Sequence, residues 1–223
     1  VGGYDGEVSY SDDGGETFAL VEDFPTIDGY VTVAFDTYFD SNHVVYAATF
    51  DEVGFTGGIY SWVVGESDKW MDLKAEPLES QLGLDIALGP TSGDDQIEVA
   101  YSGLVVDSDT NPFTSAANGG VIYASYVGYQ AINSTDGYYF TGVARSLERL
   151  VTICTTCLTW DYLYEGLTLD VEWFNAYPDA LKICGCLTPD TNSKLFAIDE
   201  WNYYDMVENE AGSVWTFEDC YAK

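Results

Sequence analysis

Alternation of apolar and polar side chains is the dominant pattern of this chain. Apolar residues recur at every second position in segments 31–35, 97–101 and 181–183, and a short apolar run occupies 195–198. A period of two is typical of β-strands, whose side chains project alternately to opposite faces. Clusters rich in Asp, Asn, Ser and Gly separate the runs and predict turns. The best helical candidate is the short stretch 145–150, so the pattern predicts an all-β fold.

Three segments repeat the same order of apolar run, polar bend and second apolar run. They begin at Val31, Leu84 and Leu169, and each is followed by a further strand-like run. The copies start 53 and then about 85 residues apart, which indicates insertions in a repeated unit. We therefore expect a single all-β repeat domain over residues 1–223, with units of roughly 1–30, 31–82, 83–150 and 151–223.

Composition excludes several classes of protein. Hydrophobic residues make up 47% of the 223 positions, so the chain can bury a core and is not globally disordered. Its 38 Asp and Glu against seven Lys and Arg give a formal charge of -31. That field repels nucleic acids and anionic membrane surfaces, and it attracts cations. There is no apolar stretch of 18 residues, which argues against membrane insertion.

The beginning of the chain and its cysteines suggest an exported protein. It opens at Val1 on a Gly-rich segment, which we interpret as a mature or excised piece of a longer precursor. Five cysteines are disulfide candidates in an oxidising compartment: Cys154, Cys157, Cys184, Cys186 and Cys220. A four-thiolate zinc site is the alternative, although a Cys-x-Cys pair is a poor zinc ligand set. The Asn133-Ser134-Thr135 triplet is a glycosylation candidate at Asn133.

The segment Ser-Asp-Asp-Gly-Gly-Glu-Thr-Phe between Ser11 and Phe18 carries a recognisable motif. It resembles the Asp-box of bacterial neuraminidase repeats, in which Ser11, Asp13, Gly15, Thr17 and Phe18 fill every position. Asp13 can accept hydrogen bonds from turn amides, Gly15 can take a positive φ, and Phe18 can pack beneath the turn. The resemblance implies a structural turn on the rim of a β-propeller blade, as in bacterial and archaeal cell-surface propeller proteins.

The resemblance extends weakly to the segments before Trp70 and Phe140. It implies an incomplete or partial β-propeller of about four irregular antiparallel blades. The chain begins and ends on what resembles the second half of a repeat, so we expect an edge that pairs with a neighbouring chain in an assembly.

Candidate catalytic groups give no convincing constellation. Sialidases, which share the Asp-box, use three arginines, and this chain has only Arg145 and Arg149. A carboxylate-pair glycosidase stays open, because 38 carboxylates always offer some suitable pair. The single His43 lies in a polar bend before a strand and is expected to be a turn residue.

Calcium is the one cofactor that the sequence leaves open. Asp107, Asp109 and Asn111 have the oxygen spacing that opens a calcium loop, although Pro112 stands where an EF-hand has Gly. A solvated acidic loop is the alternative.

We expect a non-enzymatic extracellular structural or assembly module of a cell-surface layer or filament. Its partners would be other copies of itself or of the parent protein. The alternative is a carbohydrate-binding or glycoside-hydrolysing Asp-box propeller.

Overall fold

The structure is a computed structural model, and it is an all-β fold. It describes residues 1–21, 23–25, 29–36, 38–51, 56–75, 98–107, 121–131, 137–146, 160–163, 179–186, 193–200 and 214–219. The strands within these ranges are β1 (Ser9–Tyr10), β2 (Ala19–Leu20), β3 (Tyr30–Phe35), β4 (Val44–Phe50), β5 (Ile59–Val63), β6 (Met71–Asp72), β7 (Glu98–Asp107), β8 (Val121–Ala131), β9 (Gly137–Ser146), β10 (Trp160–Leu163), β11 (Asp179–Cys186), β12 (Ser193–Glu200) and β13 (Val214–Asp219). A single-turn helix, α1 (Phe39–Asn42), is the one helix in the same ranges.

Three antiparallel sheets follow one another along the chain, and each is a simple meander. Sheet I has the order β3-β4-β5-β6, sheet II the order β7-β8-β9-β10, and sheet III the order β11-β12-β13. Neighbours in sequence are therefore neighbours in space, as is usual for consecutive strands. The predicted strands at 31–35, 181–183 and 195–198 are confirmed as β3, β11 and β12.

Sheets I and II pack face to face around an apolar core. Alternate residues of β4, namely Val44, Tyr46 and Ala48, join one buried cluster. Ile122, Ala124 and Tyr126 of β8 join the same cluster from the other side. The period-two pattern of each strand thus becomes a shared interface, and Trp160 of β10 closes one end of it.

Sheet II is buried on both of its faces. Tyr123 and Ser125 alternate with the residues of β8 that face sheet I, yet both are fully buried. Strand β11 of sheet III lies alongside β7 and β8. Sheet II is therefore the central layer, which explains why β8 contains so few charged residues.

A β-bulge interrupts the pairing of β7 with β8 between Tyr101 and Gly103. The extra residue, Ser102, shifts the alternation, so that Tyr101 and Leu104 both join the core. The Ser102 carbonyl accepts a hydrogen bond from Thr32 Oγ1 at 3.0 Å, and the Ser102 and Ser125 hydroxyls lie 2.9 Å apart. The bulge therefore links sheet II to β3 of sheet I.

The first residues form a small additional layer beside sheet I. Strands β1 and β2 pair as an antiparallel hairpin, and Gly2 bridges to Val8. We call residues 1–21, which include β1 and β2, the N-terminal layer. Its Val8 is buried together with Val31 and Ala47 of sheet I and with Trp70, which directly precedes β6. Sheet I is thus covered on both faces.

One feature of the sequence prediction needs correction. Arg145, the first residue of the helical candidate 145–150, lies in strand β9 with Ser146. The neighbouring Ala144 pairs with Ala124 and is fully buried, so sheet packing overrides the local pattern. Residues 147–150 lie outside the described part of the chain. Strand β10 pairs antiparallel with β9.

Substituting Gly29 with alanine is expected to cost more than about 1 kcal/mol of unfolding free energy. Gly29 has φ 89°, and a Cβ there would lie 2.1 Å from the Phe50 carbonyl oxygen. Gly65 is the matched control, because it has φ 85° but nothing within 4 Å of its Cβ position. Urea unfolding should show Gly29→Ala to be clearly more destabilising than Gly65→Ala. Equal losses would mean that the close approach to Phe50 is absent.

Candidate functional site

The turn from Ser11 to Phe18 connects β1 and β2 and is organised around one carboxylate. Asp13 accepts hydrogen bonds from the Thr17 backbone N–H at 2.9 Å and from Thr17 Oγ1 at 2.5 Å. The Ser11 hydroxyl donates to Asp13 at 2.7 Å and accepts from the Gly15 N–H at the same distance. Asp13 and Ser11 thereby satisfy turn amides that would otherwise need water.

Two glycines give this turn its backbone path. Gly14 has φ 78° and Gly15 has φ 93°, in a region that L side chains rarely adopt. Phe18 is 56% exposed, so it does not pack beneath the turn as expected. The two strands that this turn connects are each only two residues long.

The hydrogen bonds of this turn lower the pKa of Asp13 well below its usual range. The Thr17 hydroxyl contributes most, followed by the Thr17 N–H and the Ser11 hydroxyl. The carboxylate is fully solvent-exposed, so its charge needs no counter-ion. The Asp13 oxygens accept the hydrogen bonds that hold the turn closed.

Replacing Asp13 with alanine is expected to speed hydrogen exchange of the Thr17 amide. Asp12→Ala, at a neighbouring exposed aspartate, is the control and should leave the exchange of that amide unchanged.

Because the folded pKa of Asp13 is lowered, its contribution to stability is present above the unfolded pKa of about 3.9. That contribution is lost as the pH falls through the folded pKa. An NMR titration of the Asp13 carboxyl carbon should give a midpoint below 3.9. A midpoint at or above that value would contradict the turn geometry.

A second carboxylate turn, which the sequence did not reveal, lies between β3 and β4. Asp36 is only 3% exposed. One of its oxygens accepts from the Tyr38 N–H and from Asn42 Nδ2, both at 2.8 Å. The other accepts from the Tyr46 hydroxyl at 2.7 Å. This set connects the end of β3, helix α1 and the middle of β4.

The Tyr46 phenol is held as a hydrogen-bond donor. Burial raises its pKa far above the ordinary range, and the nearby Asp36 charge and hydrogen bond raise it further. Tyr46 therefore stays protonated and donates to Asp36 throughout the physiological range. The hydrogen bonds around Asp36 do not neutralise its charge, but they supply three donors to this buried carboxylate.

His43 has the turn role that the sequence predicted. It follows α1 in the left-handed conformation with φ 54°, and its N–H donates to the Phe39 carbonyl. Its ring lies 5.9 Å from the Phe39 ring, which in turn packs edge-on against Phe35.

Most other candidate residues fall outside the described ranges. Cys184 and Cys186 lie in β11, opposite Phe196 and Lys194, and Asp107 is the last residue of β7. The remaining candidates lie outside the described residues: Cys154, Cys157, Cys220, Asn133, Asp109 and Asn111.

The described residues contain neither a cluster of metal ligands nor a membrane-spanning helix. Over the described ranges, no three His, Cys, Asp or Glu side chains are placed to hold a metal ion together. In the same parts of the chain, no helix has the length and apolar character needed to span a membrane.

Comparison of the chain with protein-family models, with curated proteins and with solved structures gave no match. The fold class therefore rests on the strands and sheets themselves, and the function rests on what the turns and surfaces can do.

Proposed function

We propose that the chain is a non-enzymatic extracellular structural module of a cell-surface layer or filament. The observation that carries the proposal is how its organised carboxylates are used. Asp13 binds N–H and hydroxyl groups of its own turn, and Asp36 binds an N–H group of its turn and the Tyr46 hydroxyl of the next strand. A general acid or nucleophile would instead direct its oxygens toward a substrate. These two residues stabilise connections between strands.

The sheet arrangement supports a partial β-propeller of about four irregular antiparallel blades. Strand β7 contacts β3, and β11 contacts β7, so the first strands of successive sheets lie next to one another. Sheets that radiate from a common centre bring their first strands together in this way. The N-terminal layer would contribute part of a further blade, and the partners would be copies of this chain or of its parent.

Disulfides and bound calcium belong to the same proposal as stabilising devices. An extracellular location would oxidise the five cysteines, and calcium at acidic segments such as 107–111 would offset the charge of -31. Mass spectrometry of the unreduced protein tests the first. Calorimetric titration with calcium tests the second.

Electron microscopy of the native particle, taken from the surface fraction of the source cells, tests the assembly role. We expect a sheet or filament with a regular repeat. A dispersed monomer would contradict the proposal. Hydrolysis of a polysaccharide panel by the purified chain would also contradict it.

A second candidate function, carbohydrate binding, is favoured by one aromatic row. Phe35 is 63% exposed, its ring packs against Phe39, and His43 follows. Exposed aromatic rings can stack on sugars. A glycan array would reveal such binding, and Phe35→Ala should abolish it.

A further inference from the structure

The outward face of the N-terminal layer exposes apolar side chains in register. Ser9 N–H donates to the Val1 carbonyl at 2.8 Å, and Ser9 pairs with Leu20 on its other side. Directly opposed residues project from the same face of a sheet, so Val1, Ser9 and Leu20 form one row. Leu20 is 45% exposed, and Phe18, two residues earlier, is 56% exposed. Val8, on the opposite face, is buried against sheet I.

Carboxylates border this apolar row. Glu7, two residues before Ser9, shares its face, and Asp12 and Glu16 lie in the turn that ends at Phe18. All three are exposed. The imbalance extends along the chain, since fourteen Asp and Glu precede Lys69, the first Lys or Arg. The face therefore has an apolar centre and an acidic rim, which is the usual anatomy of a docking surface.

The charge of the rim decides what can cover it. A second copy of this chain would bring further carboxylates, because Asp and Glu outnumber Lys and Arg by 38 to seven. Nucleic acids and anionic lipids are repelled for the same reason. Lysine and arginine side chains fit both parts, since their methylene stems pack on apolar groups while their charged ends reach carboxylates or aromatic rings.

We propose that the outward face of the N-terminal layer, with Phe18 and Leu20 at its centre and Glu7 and Glu16 at its rim, docks a cationic polypeptide segment of alternating basic and apolar residues. The proposal deepens the structural role above and rests on it, because it names the chemistry of one partner of the module. Copies of this chain would meet through other surfaces.

Three synthetic peptides of equal length test the proposal by fluorescence anisotropy with the full chain. One alternates Lys and Val, one Lys and Ser, and one Glu and Val. We expect the Lys–Val peptide to bind at least tenfold more tightly than the Lys–Ser peptide, and the Glu–Val peptide not to bind. Affinity for Lys–Val should fall as salt rises, since exposed charges are screened.

Variants locate the binding on this face. Phe18→Ser with Leu20→Thr should weaken Lys–Val binding at least tenfold, while Glu7→Gln with Glu16→Gln should weaken it and reduce its salt dependence. Val64→Ser, at an apolar residue next to β5 that is 40% exposed, is the matched control and should bind as the parent does. Circular dichroism checks that each variant is folded.

Three results would overturn the inference. Equal binding of Lys–Ser and Lys–Val would show general attraction of polycations. An unchanged affinity in the Phe18→Ser, Leu20→Thr variant would place the binding elsewhere. Self-association of the parent chain that this variant abolishes would make a second copy the occupant. If the native particle still assembles with this variant, the proposed structural role is unaffected. If the native particle is a monomer, the structural role is contradicted regardless of the peptide results.

Discussion

Truncating Trp160 to alanine should lower the unfolding free energy by about 3 to 5 kcal/mol, as loss of a buried aromatic ring usually does. Trp160 is 4% exposed and belongs to the core that sheets I and II share. Its indole N–H donates to the Leu73 carbonyl at 3.0 Å. The change would therefore leave a cavity between the two sheets and a buried carbonyl without its donor.

Two control variants separate these effects. Trp160→Phe keeps most of the ring but loses the N–H, so it should cost less than the alanine change. Val64→Ala, at a residue that is 40% exposed, should stay within about 0.5 kcal/mol of the parent. Urea unfolding followed by circular dichroism gives all three values. A loss below about 1 kcal/mol for Trp160→Ala would mean that sheets I and II do not share this core.

Asp36→Ala should be the most damaging change to a polar residue, and we expect it to lower the unfolding free energy by about 3 kcal/mol or more. The substitution removes an acceptor from Tyr38, Asn42 and Tyr46 at once, and bonds to a charged group are each worth about 1.5 to 3 kcal/mol. The Tyr46 hydroxyl, which is buried, would be left without the carboxylate. Tyr46→Phe removes only one of these bonds and should cost less.

Asp40→Ala is the control for Asp36→Ala, because Asp40 lies in the same turn but is exposed. The unfolding free energy of Asp40→Ala should lie within about 0.5 kcal/mol of that of the parent. Equal effects of Asp36→Ala and Asp40→Ala in urea unfolding would contradict the hydrogen-bond set around Asp36.

The strands were predictable because their alternation has a direct physical cause. Val31 and Val33 predicted β3, and Val99 and Tyr101 predicted β7, since a half-buried strand needs apolar residues at every second position. The structure confirms both strands. The all-β class followed from the same signal.

Features that depend on tertiary packing were not predictable. The bulge at Ser102 changes which residues face the core, and nothing in the local pattern marks an extra residue. The strand conformation of Arg145 depends on pairing with Tyr123 of β8. Phe35 continues an alternating pattern yet lies exposed, because β3 ends there.

The two carboxylate turns differ in how far their sequences identified them. Around Asp13, the Asp-box-like segment Ser11–Phe18 predicted that the carboxylate would accept hydrogen bonds from turn amides, and the Thr17 amide donates to it. Asp36 gave no such signal, because one of its donors, Tyr46, lies ten residues away on the next strand. The likeness to Asp-box repeats stays a prediction.

The partial β-propeller proposed above requires the successive antiparallel sheets to be arranged around a common centre. A crystal structure of the chain tests it most directly. We expect β3, β7 and β11 to lie side by side as the innermost strands, with Ser11–Phe18 forming a hairpin turn. A lone two-sheet sandwich, or a helix at Ser11–Phe18, would contradict it.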